Sequence, residues 1–369
     1  MVHPRVFLYP AGLMAATTIG AGIFALPFVF YEAGWLLSLV FLIVIAILIV
    51  FVHSLYWAVL EKFGERAHLL GLGARYFGAL GKYGAFAVIV GGLVLTLVVY
   101  LILGRTLLEL LFPALAPWGM LIFWLVSSLP IFFREKSFER SELMAGILMA
   151  FIILVIFGVA LRDGALSYIP QAVPSNAFLL FSAILFALAG WTGVEPVFRY
   201  KKDIGVSDTR PQKGMSGGTL FSAFLYALFV LAIWMSAERI TPDALSGLEN
   251  FVAWKSTLLL LLGLFAIWTS YVPIGIEIKT SLEKDAKIPR LFSLTIVFLV
   301  PPLLFLSGLR DFLGAVGLVG GFFLALQYLL IVLVSRKVLR LGWVRRRLTD
   351  VVAAAFLLAA GYETYLLLY

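Results

Sequence analysis

The chain has 369 residues, 63% hydrophobic and only 13% charged, with a mean hydropathy of +1.06 and a formal charge of +8. A soluble domain cannot hide that much apolar surface, so the composition indicates an all-α polytopic membrane protein, whose positive charge belongs to basic loops and not to a nucleic-acid footprint. Cysteine is absent, which removes disulfides, thiolate nucleophiles and thiolate metal sites, and His3, His53 and His68 lie too far apart in sequence to suggest an imidazole-rich metal centre.

A membrane-crossing helix needs about 20 mostly apolar residues, and eleven stretches meet that demand. The first, 6–31, reads as a retained span and holds AATTIGAGIFALPFVF (15–30). Gly20-Ala21-Gly22 stands near its midpoint, where glycine weakens a helix. Thr17 and Thr18 can bond the backbone groups so freed, and Pro27 follows. Irregular backbone at that depth survives only inside protein or along a cavity, so a broken first span facing other spans is expected. Spans two and three are 34–60 and 83–111. Between them ERAHLLGLGARYFGALGK (65–82) reads as an amphipathic interfacial helix, with apolar residues at helical spacing and basic ones between. Spans four and five are 117–133 and 141–161.

The sixth span, 177–198, repeats the interruption of the first. FALAGWTGVEPVF (186–198) sets Ala189-Gly190-Trp191-Thr192-Gly193 inside an apolar run, and Pro196 follows. The connection 199–214 is polar and basic, and is expected to be mobile. Spans seven to eleven are 215–237, 253–278, 291–307, 312–335 and 349–368. Before the eighth, TPDALSGLENFVAW (241–254) reads as a short external helix opened by Thr241-Pro242.

Lysine and arginine set the orientation. With the N-terminus cytoplasmic, all of the 28 except Arg105, Arg162, Arg239, Lys255 and Arg310 fall on the inside, which leaves the C-terminus outside a cell membrane. The interruptions divide the chain into a first five-helix repeat (1–165), a second (176–335) and an eleventh helix (349–369). An odd number of helices per repeat makes the second repeat inverted. Gly/Pro-interrupted spans at matching places in two halves point to a transporter's binding site. Unwound backbone offers N–H groups to a carboxylate and carbonyls to an ammonium group or a cation, and a zwitterion needs both. Small-residue packing is the alternative reading of either break alone.

TTIGAGIFALPFVFYEAG (17–34) resembles the first-span signature of the amino acid/auxin permease and aromatic amino acid permease families, within the amino acid–polyamine–organocation superfamily. FALAGWTGVEPV (186–197) is similar to the sixth-span signature of that superfamily, FAIWTSYVPIGIEIKTSLEKD (265–285) to the eighth span and FLGAVGLVGGFF (312–323) to the glycine-rich tenth. Elsewhere only topology matches. The resemblance implies the five-plus-five inverted-repeat fold first seen in a sodium-coupled leucine transporter, with spans 1, 2, 6 and 7 moving against spans 3, 4, 8 and 9 in alternating access. It implies that a substrate carboxylate meets N–H groups around Gly20, Ala21 and Gly22, and that the amino group meets carbonyls near Thr17, Phe186, Ala187 and Ala189. It further implies a candidate sodium site from the carbonyls of Ala16, Ile19 and Ala266 with the hydroxyls of Thr269 and Ser270. Proton-coupled relatives place a lysine from span 5 there, and span 5 of this chain has no basic residue, whereas the eleven-span branch is proton-coupled. Sodium and protons both stay open as coupling ions.

Trp191 and Gly190 belong to the second break, where the indole forms a wall or gate, and Phe186 stands one turn earlier where the family has a gating aromatic. Tyr100 lines the pocket or packs the core. Glu195, just past the second break, is a costly intramembrane carboxylate. It carries a proton, pairs with a cation in the cytoplasmic gate, or sits solvated beside Arg199. Glu277 reads as an ion-pair partner of Lys279, His53 as a packing histidine and Gln327 as an interhelical hydrogen bond. No HExxH or GxSxG pattern points to an enzyme. The partners expected are a small amino acid and the lipid bilayer, with no cofactor, no nucleic acid and no obligate protein partner. The expected activity is symport of a neutral apolar or aromatic amino acid; uniport, exchange, or carriage of a polyamine or other small solute is the alternative.

Overall fold

The structure, a computed structural model, describes residues 5–63, 68–133, 139–164, 170–237, 239–246 and 253–368. Among these, every regular element is helical. The helices are α1 (Arg5–Thr18), α2 (Leu26–Ala33), α3 (Trp35–Phe63), α4 (Leu69–Leu111), α5 (Gly119–Phe133), α6 (Glu139–Asp163) and α7 (Ala177–Ala187). They continue as α8 (Val194–Asp203), α9 (Arg210–Ser236), α10 (Ala253–Thr280), α11 (Arg290–Leu306), α12 (Phe312–Gly317), α13 (Ala325–Val338) and α14 (Trp343–Leu368). Among the described residues, eight helical stretches are long and apolar enough to cross a membrane. The other three expected spans are the interrupted α1–α2, the 17-residue α11 and the 26-residue α14. This is a multi-pass membrane protein.

Apolar residues all round a helix leave the choice of face to packing, and α3 shows how that choice falls. Leu36, Val40, Ile43, Val44 and Ile47 form an outward stripe at helical spacing, while Ser38 and His53 turn inward and are buried. The polar minority goes inside because lipid cannot satisfy it. Over its most apolar stretch α3 is 33% buried, against 72% for the Gly81–Leu111 part of α4, which makes the latter the central post of the bundle. α1 packs most extensively on α9, and α4 on α10; α7 lies against residues 318–324.

Local chemistry explains where the helices depart from expectation. The amphipathic stretch is helical from Leu69 and is separated from the third span by a kink at Gly78, whose non-helical φ of +63° and ψ of −149° suit glycine; its residues 65–67 lie outside the described residues. The connection 199–214 is largely helical: α8 continues to Asp203 and α9 starts at Arg210. Tyr200 stacks on Tyr9 at 4.4 Å, Lys201 pairs with Glu61 at 2.7 Å, and Asp208 accepts the Arg210 N–H at 2.9 Å. Residues 241–246 form a turn in which Asp243 accepts from the N–H groups of Leu245 and Ser246; residues 247–252 lie outside the described residues. A π turn over Ser281–Asp285 follows span eight, and another over Leu318–Leu324 lies within span ten.

Candidate functional site

Both expected interruptions are present. α1 ends at Thr18, Ile19 and Gly20 leave the helix, and a 3₁₀ turn over Ala21–Phe24 leads into α2, with Pro27 in its first turn. α7 ends at Ala187, and Leu188–Gly190 are non-helical. A 3₁₀ turn over Trp191–Gly193 then leads into α8. Proline fits a first turn because its missing N–H has no intrahelical acceptor there. Thr17 and Thr18 donate their hydroxyls to the Leu13 and Met14 carbonyls, at 3.0 and 2.8 Å, one turn back inside α1, so these bonds do not serve the groups freed by the break.

The two breaks lie back to back. A Cβ on Gly22 would stand 2.8 Å from the Ala187 nitrogen and closer still to its Cα, so any larger residue drives one interrupted span away from the other. Tyr226 of α9 joins them from behind: its hydroxyl lies 2.8 Å from both the Thr18 and the Ala187 carbonyl oxygens. Those are the last carbonyls of two helices that end at membrane depth, and a single phenol serves both. From α13, Tyr328 accepts the Gly190 N–H at 3.3 Å and meets His53 Nε2 at 3.0 Å. Gln327 accepts the Trp191 indole N–H at 2.7 Å and donates to the Val88 carbonyl at 2.9 Å. The interhelical hydrogen bond expected of Gln327 is thus a three-span clamp. His53 is buried against Tyr328, with its Nδ1 unbonded.

In front of the breaks lies a cavity with about 620 Å³ of atom-free space, including what opens to solvent. Thr17, Gly20, Ala21, Gly22, Tyr100, Phe186, Ala189, Gly190 and Trp191 line it, all candidates from the sequence, together with Thr96, Ser270 and Leu324. Among the described residues its lining contains no Asp, Glu, His, Lys, Arg or Met. The polar groups it offers are hydroxyls and the peptide groups of the breaks. The first N–H groups of the turn after Gly20 have no intrahelical acceptor. Ala187 is not part of the lining, and its carbonyl is engaged by Tyr226.

The candidate sodium residues are placed differently. Ser270 lines the cavity and bonds the Tyr100 hydroxyl. Ala16, Ile19 and Ala266 are buried outside the lining, and Ala16 faces Gly146 of α6. The Thr269 hydroxyl donates to the Phe265 and Ala266 carbonyls at 2.9 and 3.1 Å, so two of the expected ligands bond each other.

Glu195, one helical step beyond the second break, accepts from Tyr56 of α3 and pairs with His68 Nδ1 at 2.8 Å. The hydrogen bond to Glu195 raises the His68 imidazole to about 9, so it is cationic at neutral pH. This links α8 to α3 and to the start of α4. Tyr226, Tyr328 and Thr96 escaped the sequence reading; the available signal was a hydroxyl in an apolar span, where each needs a partner. Glu363, a buried carboxylate on α14, was also missed.

No protein-family profile matches this sequence, and no curated protein does. Solved structures do. A manganese transporter of Eremococcus coleocola, in complex with an aromatic bis-isothiourea compound, aligns over 98% of this chain and 88% of its own, with TM-score 0.69 and 15% identity. MhsT in complex with L-phenylalanine aligns over 98% and 99%, with TM-score 0.69 and 15% identity. Mhp1, a nucleobase-cation-symport-1 family transporter in a closed conformation with bromovinylhydantoin bound, aligns over 96% and 90%, with TM-score 0.60 and 15% identity. The fold of this chain is the fold of these transporters.

Proposed function

We propose that the chain is a secondary active transporter that carries a neutral apolar or aromatic amino acid by cation-coupled symport, working by alternating access. The observation that carries this reading is the cavity before two back-to-back helix breaks, lined by peptide groups, hydroxyls and aromatic rings and by no charged side chain. N–H groups around Gly20, Ala21 and Gly22 receive the carboxylate, and the carbonyls of Thr17, Phe186 and Ala189 receive the ammonium group. Phe186, Trp191 and Tyr100 enclose the side chain. The repeats are 1–165 and 176–335 in inverted orientation, with 349–369 added, the N-terminus cytoplasmic and the C-terminus external. Glu195 with His68 and Tyr56 closes the cytoplasmic mouth.

A metal-ion substrate is disfavoured by a lining without carboxylate, imidazole or thioether, and a polyamine by the same lack of acids. The test is uptake of radiolabelled amino acids into proteoliposomes, with sodium and pH gradients imposed separately and a panel of amino acids as competitors. Accumulation driven by one gradient and blocked by apolar or aromatic amino acids is expected. Uptake indifferent to both gradients defeats symport, and no uptake of any amino acid defeats the substrate class.

A further inference from the structure

Glu363 is the buried carboxylate that the site described above does not use. It sits on α14, is 7% exposed, and accepts a hydrogen bond from the Ser182 hydroxyl of α7 at 2.6 Å. Two glycines make room for it. A Cβ on Gly321 would stand 2.5 Å from Glu363 Oε1 and closer to its Cγ and to Ser182 Oγ, and a Cβ on Gly317 would stand 3.4 Å from Oε2. Both glycines belong to span ten, at and just before its π turn, a local widening that loosens the backbone ladder and often marks a functional position. Three elements therefore meet at one carboxyl group: the first half of the broken sixth span, the π turn of span ten, and the eleventh helix.

That junction adjoins the cavity. A Cβ on Gly320 would stand 3.1 Å from the Phe186 Cβ and closer still to the Ser182 carbonyl, and Phe186 and Leu324 both line the cavity. Ser182 and Phe186 are one helical turn apart on the same face of α7.

The electrostatic surroundings are bare. α7 and residues 312–324 carry no titratable side chain. Asp311 caps α12 and is bonded to the Gly314 N–H. α13 carries Tyr328, whose hydroxyl faces His53 and Gly190, and Arg336, which pairs with Asp350 at the far end of α14, with Lys337 beside it in the last turn. On α14 itself Tyr362 stacks on Phe178 and Tyr365 is exposed. Among the described residues Ser182 is the one hydrogen-bond partner of Glu363, and no Lys, Arg or His forms an ion pair with it. Glu195 differs, since the cationic His68 balances its charge. An ionised carboxylate in apolar surroundings with one hydroxyl donor and no countercharge is costly, whereas the neutral acid is tolerated and can donate as well as accept.

We propose that Glu363 is a proton-binding site that couples transport to pH. Protonated, it keeps α7, span ten and α14 seated together; ionised, it loosens that seam and frees the outer half of the sixth span to move. The proposal rests on the transporter reading above, but its first test does not depend on it. Infrared difference spectra of the purified protein, recorded as pH is lowered, are expected to show a protonated-carboxyl C=O band that is missing in Glu363→Gln. In proteoliposomes Glu363→Gln, held in the neutral and seated form, is expected to slow amino acid counterflow and to lose at least about tenfold of the stimulation by an imposed pH gradient. A wild-type band surviving in Glu363→Gln, or an undiminished response to the pH gradient, overturns the proposal. If Glu363→Gln does not fold, Glu363→Asp carries the infrared test. A band that moves with the changed side chain supports the assignment, and one that stays in place overturns it. Should no amino acid be transported by the wild type, the substrate reading fails while the infrared result still decides the proton site.

Discussion

The two interrupted spans are alike in sequence and unlike in support. At the first break the chain turns through Gly20-Ala21-Gly22, and the N–H groups opening the next segment have no intrahelical acceptor. At the second break Tyr328 takes the Gly190 N–H, and Gln327 holds the Trp191 indole. The first is a bare backbone edge facing the cavity; the second is a fixed platform that presents Phe186 and Trp191. Under the proposed reading the first break receives the carboxylate, while the second adds the aromatic wall that selects the side chain to its share of the ammonium site.

The division can be broken by substitution, and the largest effect is expected at their contact. Gly22→Leu drives a side chain into the Ala187 backbone, which cannot step aside, so uptake should fall to background and thermal stability by about 3 kcal/mol or more. Gly190→Leu meets instead the Thr18 hydroxyl at 2.7 Å and the Met14 methyl at 2.8 Å, the ends of side chains that can turn, and should cost less. Equal losses in the two variants, compared in one thermal-shift and uptake series, contradict the asymmetry.

Tyr226→Phe removes the donor shared by two buried carbonyls, at an expected cost of about 1–3 kcal/mol, read as a lower midpoint in thermal unfolding. Because the phenol serves both breaks, transport should fall for every amino acid alike. Gln327→Leu releases the Trp191 indole, with a stability loss of about 1 kcal/mol. It should alter the ranking of competitors more than the overall rate, and an unchanged ranking separates Trp191 from selectivity.

A further effect is electrostatic and lies at the other side of Glu195. His68 is held cationic by Glu195 up to about 9, against an ordinary imidazole value of 6.5. The folded state therefore binds this proton more tightly than the unfolded chain. Its stabilisation is complete below 6.5 and is lost as pH rises through about 9. Thermal stability should decline across that window in the wild type and change less in His68→Gln.

Much of the lining of the candidate cavity was legible because its signals are local. Glycine inside an apolar run at Gly20, Gly22 and Gly190 marks backbone that cannot continue as helix, and nine of the ten candidate binding residues line the cavity. The tenth, Ala187, is hidden behind it, because which carbonyl of a break turns forward depends on the neighbour that claims the other. The Thr269 hydroxyl, a candidate cation ligand in sequence, donates its proton to the Phe265 and Ala266 carbonyls in the fold and keeps its oxygen lone pairs.

Sequence alone determined that this chain crosses a membrane many times and breaks two of its spans, because apolar length and helix-weakening residues act within a few turns of chain. Only the tertiary structure decided what stands against those breaks. Tyr226, Gln327 and Tyr328 reach them from spans 39 or more residues away, and Glu363 finds Ser182 across 181 residues. A hydroxyl, amide or carboxyl in an apolar span announces that it needs a partner; the three-dimensional packing of helices chooses which one.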